Sequence, residues 1–210
     1  MSLYARPILV DVDTQVDFMC ATGALYVPGA EAITDALAAL VAAARRAQVP
    51  HLSTLDTHVP DDPEFAAFGF PAHCVDGTPG WAKIPATRPL EGMLVQHDGQ
   101  DVTATRELAF TKATFDVFTN PRFAPAVAAL APSVAIVCGV ATDYCVKAAA
   151  LGLVAQGVPV LLVEDAIAAV APETGAAAIA ELQAAGVRTT TVAEVVAAFA
   201  ALEREVAHVA

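Results

Sequence analysis

The chain has 210 residues, long enough for one generous domain that buries a substantial core without staples. Its formal net charge of −12, with only 11 lysines and arginines, argues against nucleic acid or anionic membrane as partners, because phosphate contacts need clustered cations. No apolar run approaches the roughly 18 residues of a membrane span. The four cysteines, Cys20, Cys74, Cys138 and Cys145, are irregularly spaced with no CxxC pair, which indicates neither a disulfide framework nor a zinc ribbon. The opening residues run straight into an apolar strand and lack the long apolar segment of a signal peptide. A soluble protein in a reduced, cytoplasmic setting is expected.

Apolar β-type runs alternate with alanine-rich helical stretches along the chain. Residues 7–12 predict a first strand. Residues 30–48 predict a helix, with Ile33, Leu37, Leu40 and Val41 on one face and Arg45 and Arg46 near its end. Residues 51–55 predict a second strand. The stretch 56–100 is rich in proline, glycine and aspartate and reads as a long irregular region with short elements; loops of that length are usually functional. Residues 107–112 predict a third strand. In the second half, strand 134–140, helix 143–156, strand 159–163, helix 173–185, strand 188–192 and helix 193–206 follow in turn. This alternation predicts a three-layer α/β fold: a doubly wound, mainly parallel sheet of about six strands with helices on both faces. No linker or repeat divides the chain, so residues 1–210 read as one domain. Such sheets bind ligands beyond the carboxyl ends of their strands.

The polar groups gather at those ends. The first strand ends in Asp11-Val-Asp13-Thr-Gln15-Val-Asp17-Phe18. Asp11 and Asp13, two residues apart, are expected on one side of the strand near its exit; capping a loop explains Asp17 better than Asp13. The second strand leads into Asp56-Thr-His58, whose two side chains point the same way about 7 Å apart, close enough to converge on one ion. Glu64 and His73 follow, so two imidazoles and two carboxylates form a candidate ligand set for zinc, manganese or iron. An isolated Asp-x-His in a loop is more often a solvated pair. Lys112 ends the third strand; such a lysine usually snorkels to the surface, but beside a thiol it favours the thiolate.

The run Val134-Ala-Ile-Val-Cys-Gly-Val-Ala-Thr-Asp-Tyr-Cys145 reads as a buried strand, a sharp exit at Gly139 and a helix start. Thr142 is expected as the N-cap, with Asp143 suited to the positive helix end and Cys145 about three positions in. Backbone N–H groups there would lower the thiol pKa and hold an oxyanion. A buried structural cysteine is the competing reading. Cys20, Cys74 and Cys138 read as structural, although Cys74 adjoins a proposed ligand. His51, His97 and His208 receive no functional role.

Together these pieces resemble the nicotinamidase/pyrazinamidase branch of the isochorismatase-like cysteine hydrolases, from about Ile8 to about Ala169. Asp13-Thr-Gln-Val-Asp-Phe18 is similar to the family's opening motif, whose first aspartate is the catalytic base; Lys112 matches the family lysine; Gly139-Val-Ala-Thr-Asp-Tyr-Cys145 matches the nucleophile motif. The resemblance implies a cis Val140–Ala141 peptide bond, an oxyanion hole made by the Ala141 and Cys145 amides, and substrate contacts from Phe18, Phe70, Val140, Ala141 and Tyr144. Asp56-Thr-His58 and Phe70-Pro-Ala-His73-Cys-Val-Asp-Gly-Thr78 match the metal-binding pattern of this branch, which isochorismatases lack. It implies one divalent ion on Asp56, His58, Glu64 and His73, zinc first with manganese or iron as alternatives, binding the substrate's pyridine nitrogen. The chain departs from the pattern at Glu64, where histidine is common, and at Phe70, where tryptophan is common. The implied activity is deamidation of nicotinamide to nicotinate through a Cys145 thioester. The rivals are an amidase or ureidase acting on another small carbamoyl compound, and a non-catalytic binding protein on this fold. A homo-oligomer is allowed, although no segment marks an interface.

Overall fold

In a computed structural model, which describes residues 3–90, 93–95 and 106–209, seven parallel strands form one sheet. The strands are β1 (Pro7–Val12), β2 (His51–Asp56), β3 (Met93–Val95), β4 (Glu107–Lys112), β5 (Val134–Val140), β6 (Val160–Ala168) and β7 (Arg188–Thr190), in the order β3-β4-β2-β1-β5-β6-β7. The expected three-layer α/β architecture is therefore present. Its extra strand is β3, a short edge strand inside the stretch read as irregular. His97 lies outside the described residues.

Strands β1, β2 and β5 are buried along their whole length, as two-sided coverage by helices demands. On one face, α2 (Thr34–Arg46) and α7 (Val192–Val209) pack Leu37, Leu40, Val195 and Phe199 against Leu9 and Ile136. On the other, α4 (Phe123–Leu130), α5 (Lys147–Ala155) and α6 (Pro172–Ala184) pack Phe123, Val127, Leu153 and Leu182 against Ile8 and Val10. The expected 30–48 helix is split into a 3₁₀ turn, Ala30–Ile33, and α2. Two short helices, α1 (Val16–Met19) and α3 (Pro63–Phe68), lie in the loops above the strand ends. Strand β6 runs five residues beyond its expected end, and it bulges between Leu162 and Ile167, which pair with Val137 and Gly139 of β5. Among the described residues, no helix is long and apolar enough to cross a membrane.

Two details aim this scaffold. Gly139 has φ 111°, and a side chain there would run into the carbonyl of Val12 on β1, so only glycine lets the two central strands close up. At the end of β1 the chain reverses: Asp13 takes φ 47°, in the left-handed region that aspartate tolerates better than most residues. Strand alternation ends at Val12. Asp11 and Asp13 consequently do not share a side, contrary to the expectation from their spacing.

Candidate active site

The register of the sheet brings the site together. Asp56 pairs with Lys112 across β2 and β4, so their side chains leave adjacent strands on the same face. Lys112 Nζ lies 3.0 Å from Asp56 Oδ1, 2.7 Å from Asp13 Oδ2 and 3.5 Å from Cys145 Sγ. Asp13, Lys112 and Cys145 all lie beneath the surface. Thr54, two residues before Asp56 and so on the same face, holds Asp13 at two points: its Oγ1 donates to Asp13 Oδ1 at 2.5 Å and accepts from the Asp13 N–H at 3.1 Å. Asp13 Oδ2 is left to the Lys112 ammonium at 2.7 Å and to the Cys145 thiol. It is a buried carboxylate oxygen with spare accepting capacity beside a thiol.

Cys145 sits in a tight turn, Thr142–Val146, in which Val146 N–H donates to Ala141 O with π-helical spacing and Tyr144 N–H donates to the same oxygen. The Val140–Ala141 peptide bond before it is cis, as the resemblance implies. Thr142 makes no side-chain cap; the N-cap position belongs to Ala141. Asp143 acts elsewhere, accepting from Val170 N–H and Thr174 Oγ1 and so tying the loop after β6 to the Cys145 turn.

The electrostatics differ from the expectation of a lowered thiol pKa. Burial pushes the Cys145 thiol well above the usual cysteine range; Lys112 opposes this, while the Asp13 and Asp56 charges reinforce it. Burial also works against the Lys112 charge, but Asp13 and Asp56 more than offset it and keep the ammonium protonated. The resting constellation is a neutral thiol beside a carboxylate–ammonium pair.

On the other side of Asp56, its Oδ2 lies 3.0 Å from His58 Nε2 and 3.3 Å from His73 Nε2, and Glu64 Oε2 lies 3.2 Å from His58 Nε2. His73 Nδ1 is within 2.9 Å of the Pro71 carbonyl, which orients its ring with Nε2 inward. The donor set suits a divalent cation, with imidazole nitrogen and carboxylate oxygen in balance. It also favours positive charge: burial disfavours a charged imidazole, yet Asp56, Asp62 and Glu64 raise His58 to about 9.

Gln15, buried within the opening motif, fixes Asp56 by its backbone. Its Nε2 donates to Asp56 O and Trp81 O, each at 2.8 Å, and its Oε1 accepts from Asp56 N–H at 2.7 Å. Asp17 is the loop cap its context suggested, accepting from Ala24 N–H and Cys74 N–H.

Cys145, Asp56 and His73 open onto a cavity of about 100 Å³ walled by Phe18, Phe70, Phe115, Val140, Ala141 and Tyr144, with Leu25, Tyr26, Val27 and Val170 completing it. Among these lining residues there is no lysine or arginine. All five expected substrate contacts lie in the wall; Phe115 and the Leu25–Val27 segment do so without having been singled out by sequence. Cys74 does not line the cavity; it is buried, with its thiol pushed up by burial.

An isochorismatase domain model matches residues 7–194. The chain belongs to the isochorismatase family. Within this hydrolase family it is 29% identical over 197 residues to the nicotinamidase/pyrazinamidase of Mycobacterium tuberculosis, covering 85% of this chain and 95% of that one. The pyrazinamidase of Pyrococcus horikoshii, solved in complex with zinc, superposes with a TM-score of 0.75 at 26% identity, over 89% of this chain and 99% of its own. The N-carbamoylsarcosine amidase of Thermoplasma acidophilum shares the fold at a TM-score of 0.72 and 23% identity, over 89% and 96%.

Beyond those wall residues, the sequence did not single out Thr54 or Asp62 of this isochorismatase-family site. Thr54 was legible in principle, because the alternation that pairs Asp56 with His58 extends back to it. Asp62 was signalled only as a helix start, by the proline that follows it.

Proposed function

We propose that this protein hydrolyses a small, neutral aromatic carboxamide, nicotinamide first, to the carboxylate and ammonia through a thioester on Cys145. One observation carries the reading: Lys112 Nζ stands 2.7 Å from Asp13 Oδ2 and 3.5 Å from Cys145 Sγ, behind the wall of an apolar cavity. Burial keeps the thiol protonated, so attack on an amide needs a base, and Asp13 is the carboxylate placed to receive that proton. The sulfur adds to the amide carbon while the Ala141 and Cys145 amides donate to the developing oxyanion, a donor of this kind being worth about 3 kcal/mol. Asp13 then protonates the departing nitrogen as the C–N bond breaks, because an unprotonated amide ion leaves poorly. Water attacks the thioester, giving its proton to Asp13, and the C–S bond breaks to release the acid and restore the thiol. Lys112 stays charged throughout and balances whichever of Asp13 and Cys145 is negative.

Asp56, His58, Glu64 and His73 would hold one divalent ion, zinc first with manganese or iron as alternatives, and when bound it supplies a Lewis-acidic point that a ring nitrogen can meet. The zinc complex of the Pyrococcus relative supports that assignment. Phe18 and Phe70 wall the ring site. The apolar and aromatic walls, with no lysine or arginine among the described lining, favour a neutral ring over a carboxylate-bearing carbamoyl compound, whose charge would have no side-chain cation in the wall to meet it. A cytoplasmic setting belongs to the same proposal, since all four cysteines are free.

Ammonia release from nicotinamide, pyrazinamide and N-carbamoylsarcosine tests it. The aromatic amides should turn over and the carbamoyl compound should not; Cys145→Ala should be inactive. Ammonia release retained by Cys145→Ala removes the thioester, and preferred turnover of N-carbamoylsarcosine moves the substrate to the ureido class. No ammonia release from any of the three by folded, zinc-supplied protein points instead to a binding protein.

A further inference from the structure

Resting on the reading that Asp56, His58, Glu64 and His73 hold a divalent ion, we infer that Asp62 is the positioning residue of that centre, presenting two of its ligands at once. One carboxylate oxygen, Oδ2, lies 3.0 Å from His58 Nδ1. The other, Oδ1, accepts the N–H of Glu64 at 2.9 Å and so caps the helix Pro63–Phe68.

The chemistry follows from how an imidazole binds a cation. A neutral ring has one N–H and one lone pair, and the partner of the N–H decides which nitrogen is free. A carboxylate at Nδ1 draws the proton there and leaves the lone pair on Nε2. It also makes that nitrogen more basic. Nε2 is the atom that faces Asp56 Oδ2 and Glu64 Oε2. His73 meets the same requirement through the Pro71 carbonyl, a neutral acceptor, so Asp62 supplies the single charged outer partner among the two histidines.

The second bond concerns Glu64. Its helix spans only six residues, buries none of them and is too short to hold its own position. Phe65 packs its ring on His58 and His73 at centroid distances of 5.0 and 5.2 Å and Phe68 rests on Phe70 and Phe115, while the Asp62 cap fixes the helix start where Glu64 stands. Because a single side chain anchors both this helix and His58, the two ligands are presented in one fixed relation.

The alternative is that Asp62 binds an ion itself, since it also groups with His58 and Glu64 within ligand-like spacing. Stoichiometry separates the two roles.

The test is competition of zinc, and separately manganese, between a chromophoric chelator and metal-stripped protein, for wild type, Asp62→Ser, Asp62→Ala and His58→Ala. Serine preserves an N-cap but does not reach the imidazole. Positioning predicts one ion per wild-type chain and a 10- to 100-fold weaker affinity in both Asp62 variants. In zinc-loaded wild type, the His58 Nδ1–H should be protected and visible by nitrogen-resolved NMR; it should vanish in Asp62→Ser. A serine variant that binds like wild type reduces Asp62 to a cap and overturns the proposal. Two ions per wild-type chain, falling to one in Asp62→Ala, overturns it in favour of a direct ligand. A wild type that takes up no more ion than His58→Ala overturns both this inference and the metal reading beneath it.

Discussion

Two aspartates at the exit of β1, only two residues apart and on opposite faces of the sheet, are each buried against a lysine. Asp11 pairs with Lys83 at 2.9 Å, and its remaining capacity is filled by Thr14 Oγ1 at 2.8 Å, Ser53 Oγ at 3.2 Å and His51 Nε2 at 3.4 Å. Asp13 pairs with Lys112 at 2.7 Å, and besides that ammonium its Oδ2 meets the Cys145 thiol. The first carboxylate is satisfied and has nothing left to accept. The second is held firmly at one oxygen and left open at the other. That difference separates a structural clamp from a carboxylate able to take up a thiol proton, the role proposed for Asp13, although both are equally buried.

The comparison is broken most directly by neutralising each acid. Asp13→Asn should lower amide turnover by about 10²- to 10⁴-fold, the usual contribution of a general base, with a melting temperature close to wild type because Lys112 keeps Asp56. Parallel assays of ammonia release and thermal unfolding check this. Asp11→Asn should do the reverse. It strands Lys83 in the interior and should cost about 3–5 kcal/mol of stability, read by denaturant titration, while turnover per folded molecule stays near wild type. Equal activity losses in the two variants would erase the distinction.

Acid should sharpen it. Burial opposes the Asp11 charge, but Lys83 and His51 hold its folded pKa at about 2, below the ordinary value of 3.8. A depressed carboxyl pKa stabilises the fold above the unfolded value and loses that stabilisation as pH falls toward the folded one. About 2 kcal/mol should therefore disappear between roughly pH 4 and pH 2, and Asp11→Asn should flatten that portion of the stability curve. The smallest effect belongs to Thr54→Val, which removes one hydrogen bond from Asp13 and leaves its charge. A turnover loss of roughly ten-fold is expected, with the KM for nicotinamide little changed.

Much of this was readable from the chain, for specific reasons. The short apolar runs of β1 and β5 are rich in branched residues and stop at polar or glycine exits, which marks them as buried strands. The polar residues that end them fall at the sheet's carboxyl edge by topology alone. The helix Phe123–Leu130 went unassigned because a proline and alanines give it little amphipathic contrast. Strand β3 is three residues long and leaves no period to detect. The separation of Asp11 from Asp13 depends on one backbone reversal at φ 47°, which side-chain spacing does not encode. The neutral thiol depends on how deeply Cys145 sits, a property of the assembled layers rather than of its own turn.

Asp56 gives one oxygen to the lysine beside Cys145 and the other to the imidazoles. The two halves of the pocket thus share a single anion. Whatever draws electron density toward the histidines leaves less to offset the ammonium, and an unoffset ammonium favours ionised sulfur. Loading one half of the pocket should tune the nucleophile in the other, so the rate at which iodoacetamide labels Cys145 would report on ion uptake with no substrate present.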